Sequence, residues 1–302
     1  KETFRRDWQK LNGFNALIID EAHHFSSTTS QLYKNTLKYL RKNKPKYIWL
    51  LTGTPYRSTI MNIFALGKLL GRDWNWYDWR NKFFYMIQMG PRQVPVQKDT
   101  VDGQPIEKYV TKIVNTLGNT IAMKDIVDLP KHVYLREDFE INAEQKKAIN
   151  TLTDLLPIQR FSKIYQILNG TLKSDGYSKD QYFSSEKFAR ALDIITQNQK
   201  IAVICRHSLE IKRFEENIKN RKILVLTGDT KDRQQIIDEF NNSEDVVILI
   251  QNKVCEGYNL YAPIMLFYTI DWGLVEHLQI KGRPVRLDNL KSITYIYLVY
   301  SK

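Results

Sequence analysis

Short apolar runs alternate with a stretch of helical periodicity near the start of the chain. Residues 16–19 and 47–51 are apolar runs of strand length, and residues 29–41 between them carry leucines at helical spacing. Residues 42–45, Lys-Asn-Lys-Pro, interrupt the helical pattern. Strands separated by a helix predict a parallel sheet with helices on its faces.

A second region of the same texture begins near residue 184. Predicted helices cover residues 185–197, 209–219 and 231–240, and predicted strands cover residues 201–205, 222–226, 246–250, 264–268 and 293–299. Residues 71–183 are less regular and rich in aromatic side chains, which we interpret as a helical insertion followed by a linker. The pattern predicts an α/β protein with two doubly wound parallel-sheet domains. We place the first at residues 1–130, with the insertion at about 71–130, and the linker and second domain at residues 131–302.

Composition supports a folded protein with an acidic partner. Hydrophobic residues make up 43% of the 302 residues, which predicts a packed core. Lysine and arginine outnumber aspartate and glutamate by 45 to 33, a formal net charge of +12. Such an excess serves either general solubility or binding to a polyanion such as nucleic acid. Two isolated cysteines, Cys205 and Cys255, and the lack of a membrane-length apolar run predict a cytoplasmic protein with reduced, buried thiols.

An acidic segment directly follows the first predicted strand. Asp20 and Glu21 would lie at the carboxyl end of that strand, the edge where parallel α/β sheets bind ligands. Asp20 is placed to hold Mg²⁺, directly or through water, and Glu21 to orient and deprotonate an attacking water. His23 would report the nucleotide state to neighbouring elements. The alternative is an ordinary helix start, where acidic residues are favoured by the helix dipole.

This segment, Asp-Glu-Ala-His after an apolar strand, resembles the Walker B box, motif II, of superfamily 2 helicases. Residues 51–55, Leu-Thr-Gly-Thr-Pro, resemble motif III in the form common among Swi/Snf-like members. By this resemblance the hydroxyls of Thr52 and Thr54 couple the acidic box to the nucleic-acid side. A Gly-Pro turn whose hydroxyls cap the next helix is the alternative.

Residues 279–286, Gln-Ile-Lys-Gly-Arg-Pro-Val-Arg, resemble motif VI of the same superfamily. The resemblance implies that Gln279 binds nucleotide and that Arg283 and Arg286 grip the γ-phosphate, a task suited to planar guanidinium groups. On one helix these three side chains would share a face, although Pro284 disfavours helical geometry at Arg283. A solvated basic helix end is the alternative.

Weaker segments place the chain in the Swi/Snf-like branch. Residues 256–260 resemble motif V, in which Gly257 would let the backbone approach the nucleotide closely. Residues 129–131, Leu-Pro-Lys, and 184–187, Ser-Ser-Glu-Lys, resemble the inter-lobe stretch and the opening of the second lobe. The short insertions resemble the compact viral or phage type. The resemblance implies two RecA-like lobes, the ligands ATP and Mg²⁺, and nucleic acid, namely duplex DNA, as the partner.

The phosphate-cradling loop of this family is missing from the sequence. No Gly-x-x-x-x-Gly-Lys-Ser/Thr segment occurs, and Gly13 stands before the acidic box without room for one. We therefore expect the natural protein to continue before Lys1 and the first lobe to be incomplete in this chain. We also expect the 302-residue chain by itself to hydrolyse ATP negligibly.

Two other functions stay open at this point. One is a strand-separating or branch-migrating helicase of DNA or RNA with the same motor. The other is a non-catalytic nucleic-acid-binding module, which the intact acidic and arginine motifs argue against. The tryptophans Trp74, Trp76 and Trp79 fit the core of the insertion better than base stacking.

Overall fold

The computed structural model describes residues 2–56, 59–121, 125–153, 155–174, 179–254, 258–270, 273–285 and 291–300. The chain forms two compact units, Lys1–Ala122 and Met123–Lys302, and each is described by itself. No helix within the described ranges is long and apolar enough to cross a membrane.

The first unit begins with a small α/β body that continues into an insertion. Its helices are α1 Glu2–Asp7, α2 Gln31–Asn43, α3 Met61–Leu69, α4 Trp76–Phe83 and α5 Ile106–Leu117. Its strands are β1 Ala16–Ile19, β2 Tyr47–Leu50, β3 Phe84–Met89, β4 Arg92–Gln97, β5 Thr100–Val101 and β6 Gln104–Pro105. Short 3-10 turns cover Trp8–Lys10 and Ala22–Phe25.

Strands β1 and β2 pair in parallel, with Ala16 opposite Tyr47 and Ile19 opposite Leu50. Helix α2 connects them, and it begins where the Ser30 hydroxyl accepts a hydrogen bond from the Tyr33 backbone N–H. The helix ends at Asn43. The next residue, Lys44, has a left-handed backbone (φ 45°) and its N–H donates to the Leu40 carbonyl. This parallel pair fixes the two strand ends at one edge of the sheet.

The insertion has its own core and contains more β structure than its sequence predicts. Trp74, Trp76 and Trp79 pack around Phe64 and Phe83, which confirms their assignment to the core. The expectation of a purely helical insertion is wrong in one respect, because two antiparallel hairpins, β3–β4 and β5–β6, separate α4 from α5. The β3–β4 hairpin closes at Gly90, whose φ of 59° suits glycine.

The second unit contains a six-stranded sheet with helices on both faces. The strands of this sheet are β7 Val133–Phe139, β10 Lys200–Cys205, β11 Ile223–Leu226, β12 Val246–Gln251, β13 Ile264–Phe267 and β14 Thr294–Tyr300. Two further strands of the unit, β8 Thr171–Leu172 and β9 Gln181–Tyr182, pair with each other. The described part of the unit also contains six helices. Its helices are α6 Ala143–Asn150, α7 Pro157–Leu168, α8 Glu186–Gln197, α9 Ser208–Asn217, α10 Arg233–Asn242 and α11 Leu274–Lys281.

All neighbouring strands of this sheet are parallel, in the order β11-β12-β10-β13-β14-β7. The central strands β10 and β12 are continuous apolar runs buried on both faces, as parallel sheets require. Helices α10 and α11 cover one face through Ile237, Phe240 and Ile280. Helices α8 and α9 cover the other through Ile195 and Phe214. The second unit is therefore doubly wound, as its sequence predicts.

A buried lysine lies under one edge of this sheet. Lys187 is 4% exposed, and its Nζ donates to Asn169 Oδ1 at 2.6 Å and lies 4.8 Å from the Tyr268 ring centre. Burial lowers the pKa of Lys187 to about 7, against the opposing attraction of Glu210 and Cys205. Burial in turn raises the pKa of Glu210, whose Oε2 accepts a hydrogen bond from the Thr269 hydroxyl. Burial thus removes water from the Lys187 ammonium group, and attraction to its neighbours only partly offsets that loss.

Substituting Lys187 by methionine should change how stability depends on pH. In the unfolded chain the lysine keeps its ordinary pKa near 10.5, whereas in the folded chain the pKa is about 7. Between these values the unfolded state binds more protons, so the lysine's contribution to stability rises with pH by up to about 1.4 kcal/mol per unit. We expect the free energy of unfolding of Lys187→Met to be highest relative to that of the wild type near pH 7. This difference should shrink as the pH approaches 10.

The measurement is the free energy of unfolding by urea at several pH values between 7 and 10. The matched control is Lys212→Met, which removes an exposed lysine from α9. A difference between Lys187→Met and the wild type that stays constant across this range, as for the control, would show that Lys187 is not desolvated in the folded state.

Candidate nucleotide-binding site

Asp20 and Glu21 leave the carboxyl end of β1 in a sharp turn. Glu21 has a left-handed backbone (φ 49°, ψ 49°), a conformation that costs energy for a residue with a side chain. The Asp20 carboxylate stabilises the turn, because its Oδ1 accepts the Glu21 backbone N–H at 2.8 Å. Asp20 is exposed and the Glu21 side chain is 44% exposed, so both carboxylates face solvent at this edge.

His23 connects the acidic segment to the segment after β2. The side chain is 2% exposed, and its Nδ1 lies 3.2 Å from Thr52 Oγ1 and 3.2 Å from Glu21 Oε2. One imidazole nitrogen therefore contacts both the acidic box and the threonine turn. His24 lies beside it, with ring centres 4.1 Å apart and ring planes tilted by 40°. Their adjacency in a 3-10 turn is the signal that links the two histidines.

Backbone hydrogen bonds hold the two segments in place. Leu51 N–H donates to the Ile19 carbonyl, and Ala22 N–H donates to the Leu51 carbonyl, both at 2.9 Å. The Thr52 hydroxyl also accepts the Thr54 N–H at 3.1 Å, which shapes the Thr-Gly-Thr-Pro turn. Thr54 Oγ1 is buried, and no hydrogen-bond partner reaches it within the described ranges. These hydrogen bonds fix the positions of the acidic segment and the threonine turn relative to each other.

In the second unit, the predicted motif VI residues are only partly helical. Gln279 lies in the last turn of α11, but the helix ends at Lys281 and Arg283 lies beyond it. The expected common helical face of Gln279 and Arg283 is therefore wrong, because Pro284 disfavours a helical Arg283 and cannot continue the helix. Arg286 lies outside the described residues.

The motif V and motif VI segments meet within the second unit. Arg283 is 8% exposed, its N–H donates to the Ile280 carbonyl at 3.0 Å, and its carbonyl accepts the Leu260 N–H at 3.5 Å. Leu260 and Ile280 are both buried in the sheet-facing core. Gly257 lies outside the described residues. The segment before Arg283 thus packs against the sheet through apolar contacts and is joined to Leu260 by a backbone hydrogen bond.

The residues present fit a magnesium nucleotide in chemical terms. Two solvent-facing carboxylates at the carboxyl end of a parallel strand supply the hard oxygen donors that Mg²⁺ prefers. Asp20 and Glu21 would supply two oxygen ligands for such a cation, directly or through water. Among the described residues, no group of three or more carboxylate, histidine or cysteine side chains is arranged to hold a metal ion by itself.

Known proteins resemble this chain along almost its whole length. A family model described as SNF2-related domain matches residues 3–209, and one described as helicase conserved C-terminal domain matches residues 186–288. Protein CHROMATIN REMODELING 5 of Arabidopsis thaliana is 23% identical, with 95% of this chain and 18% of that protein aligned. The CHD3-type chromatin-remodeling factor CHR7 of Arabidopsis thaliana is 24% identical, with 95% of this chain and 25% of that protein aligned.

A solved structure, the C-terminal part of the Fun30 ATPase domain, is 16% identical with a TM-score of 0.45 and covers 58% of this chain and 86% of that one. The chain spans a quarter or less of the length of the two curated relatives. The SNF2-related model alone covers more than half of the chain, and the helicase C-terminal model follows it in the order the motifs require. The chain therefore belongs to the SNF2-related family of superfamily 2 helicase-like ATPases, which confirms the resemblance seen in its sequence.

Proposed function

We propose that this chain is part of an ATP-dependent motor that translocates along duplex DNA. The observation that carries the proposal is the position of His23 Nδ1, 3.2 Å from both Glu21 Oε2 and Thr52 Oγ1. In a motor, hydrolysis at one site has to change the conformation of another part of the protein. A buried side chain that contacts both the hydrolytic carboxylate and a second loop provides such a connection.

Each residue of the acidic segment has a role in this proposal. Asp20 holds Mg²⁺, through water, and Glu21 orients the attacking water and takes its proton. Bound Mg²⁺ supplies positive charge that offsets the negative charge of the phosphates. His23 and the hydroxyls of Thr52 and Thr54 pass changes at Glu21 to the nucleic-acid side.

In the second unit, Arg283 and Arg286 stabilise the charge that develops on the γ-phosphate, and Gln279 and Gly257 contribute to nucleotide binding. Guanidinium groups suit this role because they stay charged and present paired donors. The fixed backbone before Arg283 supports the assignment, because it limits the positions that the side chain reaches.

Duplex DNA is favoured by charge and by the relatives. The net charge of +12 suits contact with phosphates, and the two curated relatives are named for chromatin remodelling. Contacts to the DNA backbone carry no base information, so the motor would move on any sequence.

The first test replaces Glu21 by glutamine in the natural full-length protein. Loss of the base should lower DNA-stimulated ATP hydrolysis by about 100-fold or more, while affinity for DNA is retained. Phosphate release and fluorescence anisotropy with a labelled duplex measure the two quantities. The matched control is Glu215→Gln at an exposed position, and unchanged turnover in Glu21→Gln would remove the basis of the proposed site.

The second test concerns coupling through Thr52. Thr52→Val removes the hydroxyl near His23 with little change of shape, whereas Thr52→Ser keeps it. We expect the ratio of DNA-stimulated to basal ATP turnover to fall about tenfold in the valine variant, a coupling of ordinary size. The serine variant should retain most of the ratio. Equal stimulation in the two variants would show that Thr52 does not transmit the signal.

The third test is the salt dependence of DNA binding. The logarithm of affinity should fall linearly with the logarithm of salt concentration, by about 0.9 for each phosphate neutralised. Duplexes of equal length and equal A·T content, but different base order, should give the same slope and affinity. Titrations at four or more salt concentrations measure this, and a strong preference for one sequence would argue against backbone recognition.

A further inference from the structure

The β3–β4 hairpin projects from the first unit as an exposed ribbon. All residues from Tyr85 to Val96 are exposed, and they include five of the six positions of β3. Six residues per strand give a length of about 20 Å. A two-stranded ribbon is only marginally stable by itself in water. The apolar side chains exposed along this ribbon make it a candidate surface for a partner.

The root of the ribbon is fixed to the core of the insertion. Phe84 is 7% exposed, and Gln97 accepts the Ile60 N–H at 2.7 Å and donates to the Tyr56 hydroxyl at 3.0 Å. Lys98 donates to the Asn81 carbonyl and lies 5.1 Å from the centre of the Tyr85 ring. The exposed part therefore extends from an anchored base and does not belong to a loose loop.

The pairing of the strands separates the side chains by face. Tyr85 lies opposite Val96, Ile87 opposite Val94, and Met89 opposite Arg92, and these residues share one face. Met89 is 62% exposed and Tyr85 is 59% exposed. The tip thus combines an exposed thioether and Pro91 with a guanidinium.

The opposite face of the ribbon carries two amide side chains close to the tip. Gln88 lies opposite Gln93, and Met86 lies opposite Pro95. Pro95 has no N–H, so β4 lacks one backbone donor that a further strand would need. The faces and the tip, more than the edge of β4, are the surface offered to a partner.

The ribbon carries no charge that would repel a polyanion. Residues 84–97 contain one charged side chain, Arg92, and no acidic one. Residues 78–99, which include the root, contain four basic and two acidic side chains: Arg80, Lys82, Arg92 and Lys98 against Asp78 and Asp99. Apolar side chains at the tip, glutamine and arginine beside them, and no carboxylate in the ribbon itself match proteins that insert a wedge into the DNA minor groove.

We propose that the β3–β4 ribbon enters the minor groove of duplex DNA and places Met89 and Ile87 against a base step. This inference rests on the proposed function, since it takes duplex DNA as the partner. Arg92, Gln88 and Gln93 supply donors for the acceptors on the groove floor, and Lys82 and Lys98 at the root face the flanking phosphates. The apolar side chains partly unstack the step and bend the duplex.

The experiment compares the natural full-length protein with the double variant Ile87→Ser/Met89→Ser. The probe is a 30-base-pair A·T-rich duplex labelled at both ends, so that anisotropy or quenching reports binding and energy transfer between the ends reports bending. Both residues are exposed, so the melting temperature of the variant should match the wild type. The matched control, Leu156→Ser/Ile158→Ser, removes exposed apolar side chains from the second unit.

We expect the ribbon variant to bind the duplex about tenfold more weakly and to lose the bend, while the control behaves as the wild type. Netropsin, which fills the A·T minor groove, should displace the wild-type protein and act much less on the variant. Equal affinity and equal bending in the ribbon variant and the wild type would overturn the ribbon proposal and leave this surface to a protein partner. A wild-type protein that binds no duplex would instead overturn the proposed function, and the ribbon proposal with it.

Discussion

Parallel pairing of β1 with β2 is the constraint on which the candidate site depends. Because the strands run in the same direction with Ile19 opposite Leu50, the segments that follow them emerge side by side. Two backbone bonds through Leu51 then close the gap between them. Only with that register does a side chain as short as His23 contact both Glu21 and Thr52. A shift of one residue would turn each side chain to the opposite face and separate them.

Much of this arrangement follows from the sequence, because strand ends in a parallel sheet are local features. An apolar run that ends in Asp20 and another that ends before Thr52 already predict neighbouring loops at one edge. The contact made by His23 does not follow, because it depends on the left-handed turn at Glu21. The end of α11 could not be predicted from the sequence, because the motif resemblance favours a helix through Arg283 whereas Pro284 disfavours one. The helix ends at Lys281, in agreement with the local geometry of proline.

The strands that the sequence analysis missed have a common cause. In β4 three polar residues and a proline leave only two apolar positions, and in β7 three charged residues in a row obscure the alternation. Both strands are exposed on at least one side, so burial does not select their side chains. What fixes β7 is pairing with β14, which is distant in sequence, and what fixes β4 is pairing with β3 across the turn at Gly90 and Pro91. Such pairing is invisible to any pattern that considers one short segment at a time.

The same reasoning explains why an exposed ribbon is more informative than a buried one. The core strands β10 and β12 are apolar because the sheet buries them, and their composition says nothing about a partner. The β3–β4 ribbon has no such reason to be apolar, since the unit that carries it leaves Tyr85, Ile87 and Met89 in water. They add nothing to the packing of that unit, and an interaction outside the fold is the role that we propose for them. For a chain of this charge with no carboxylate in the ribbon, a groove lined by phosphates is the environment that supplies both the apolar contact and the counter-charge.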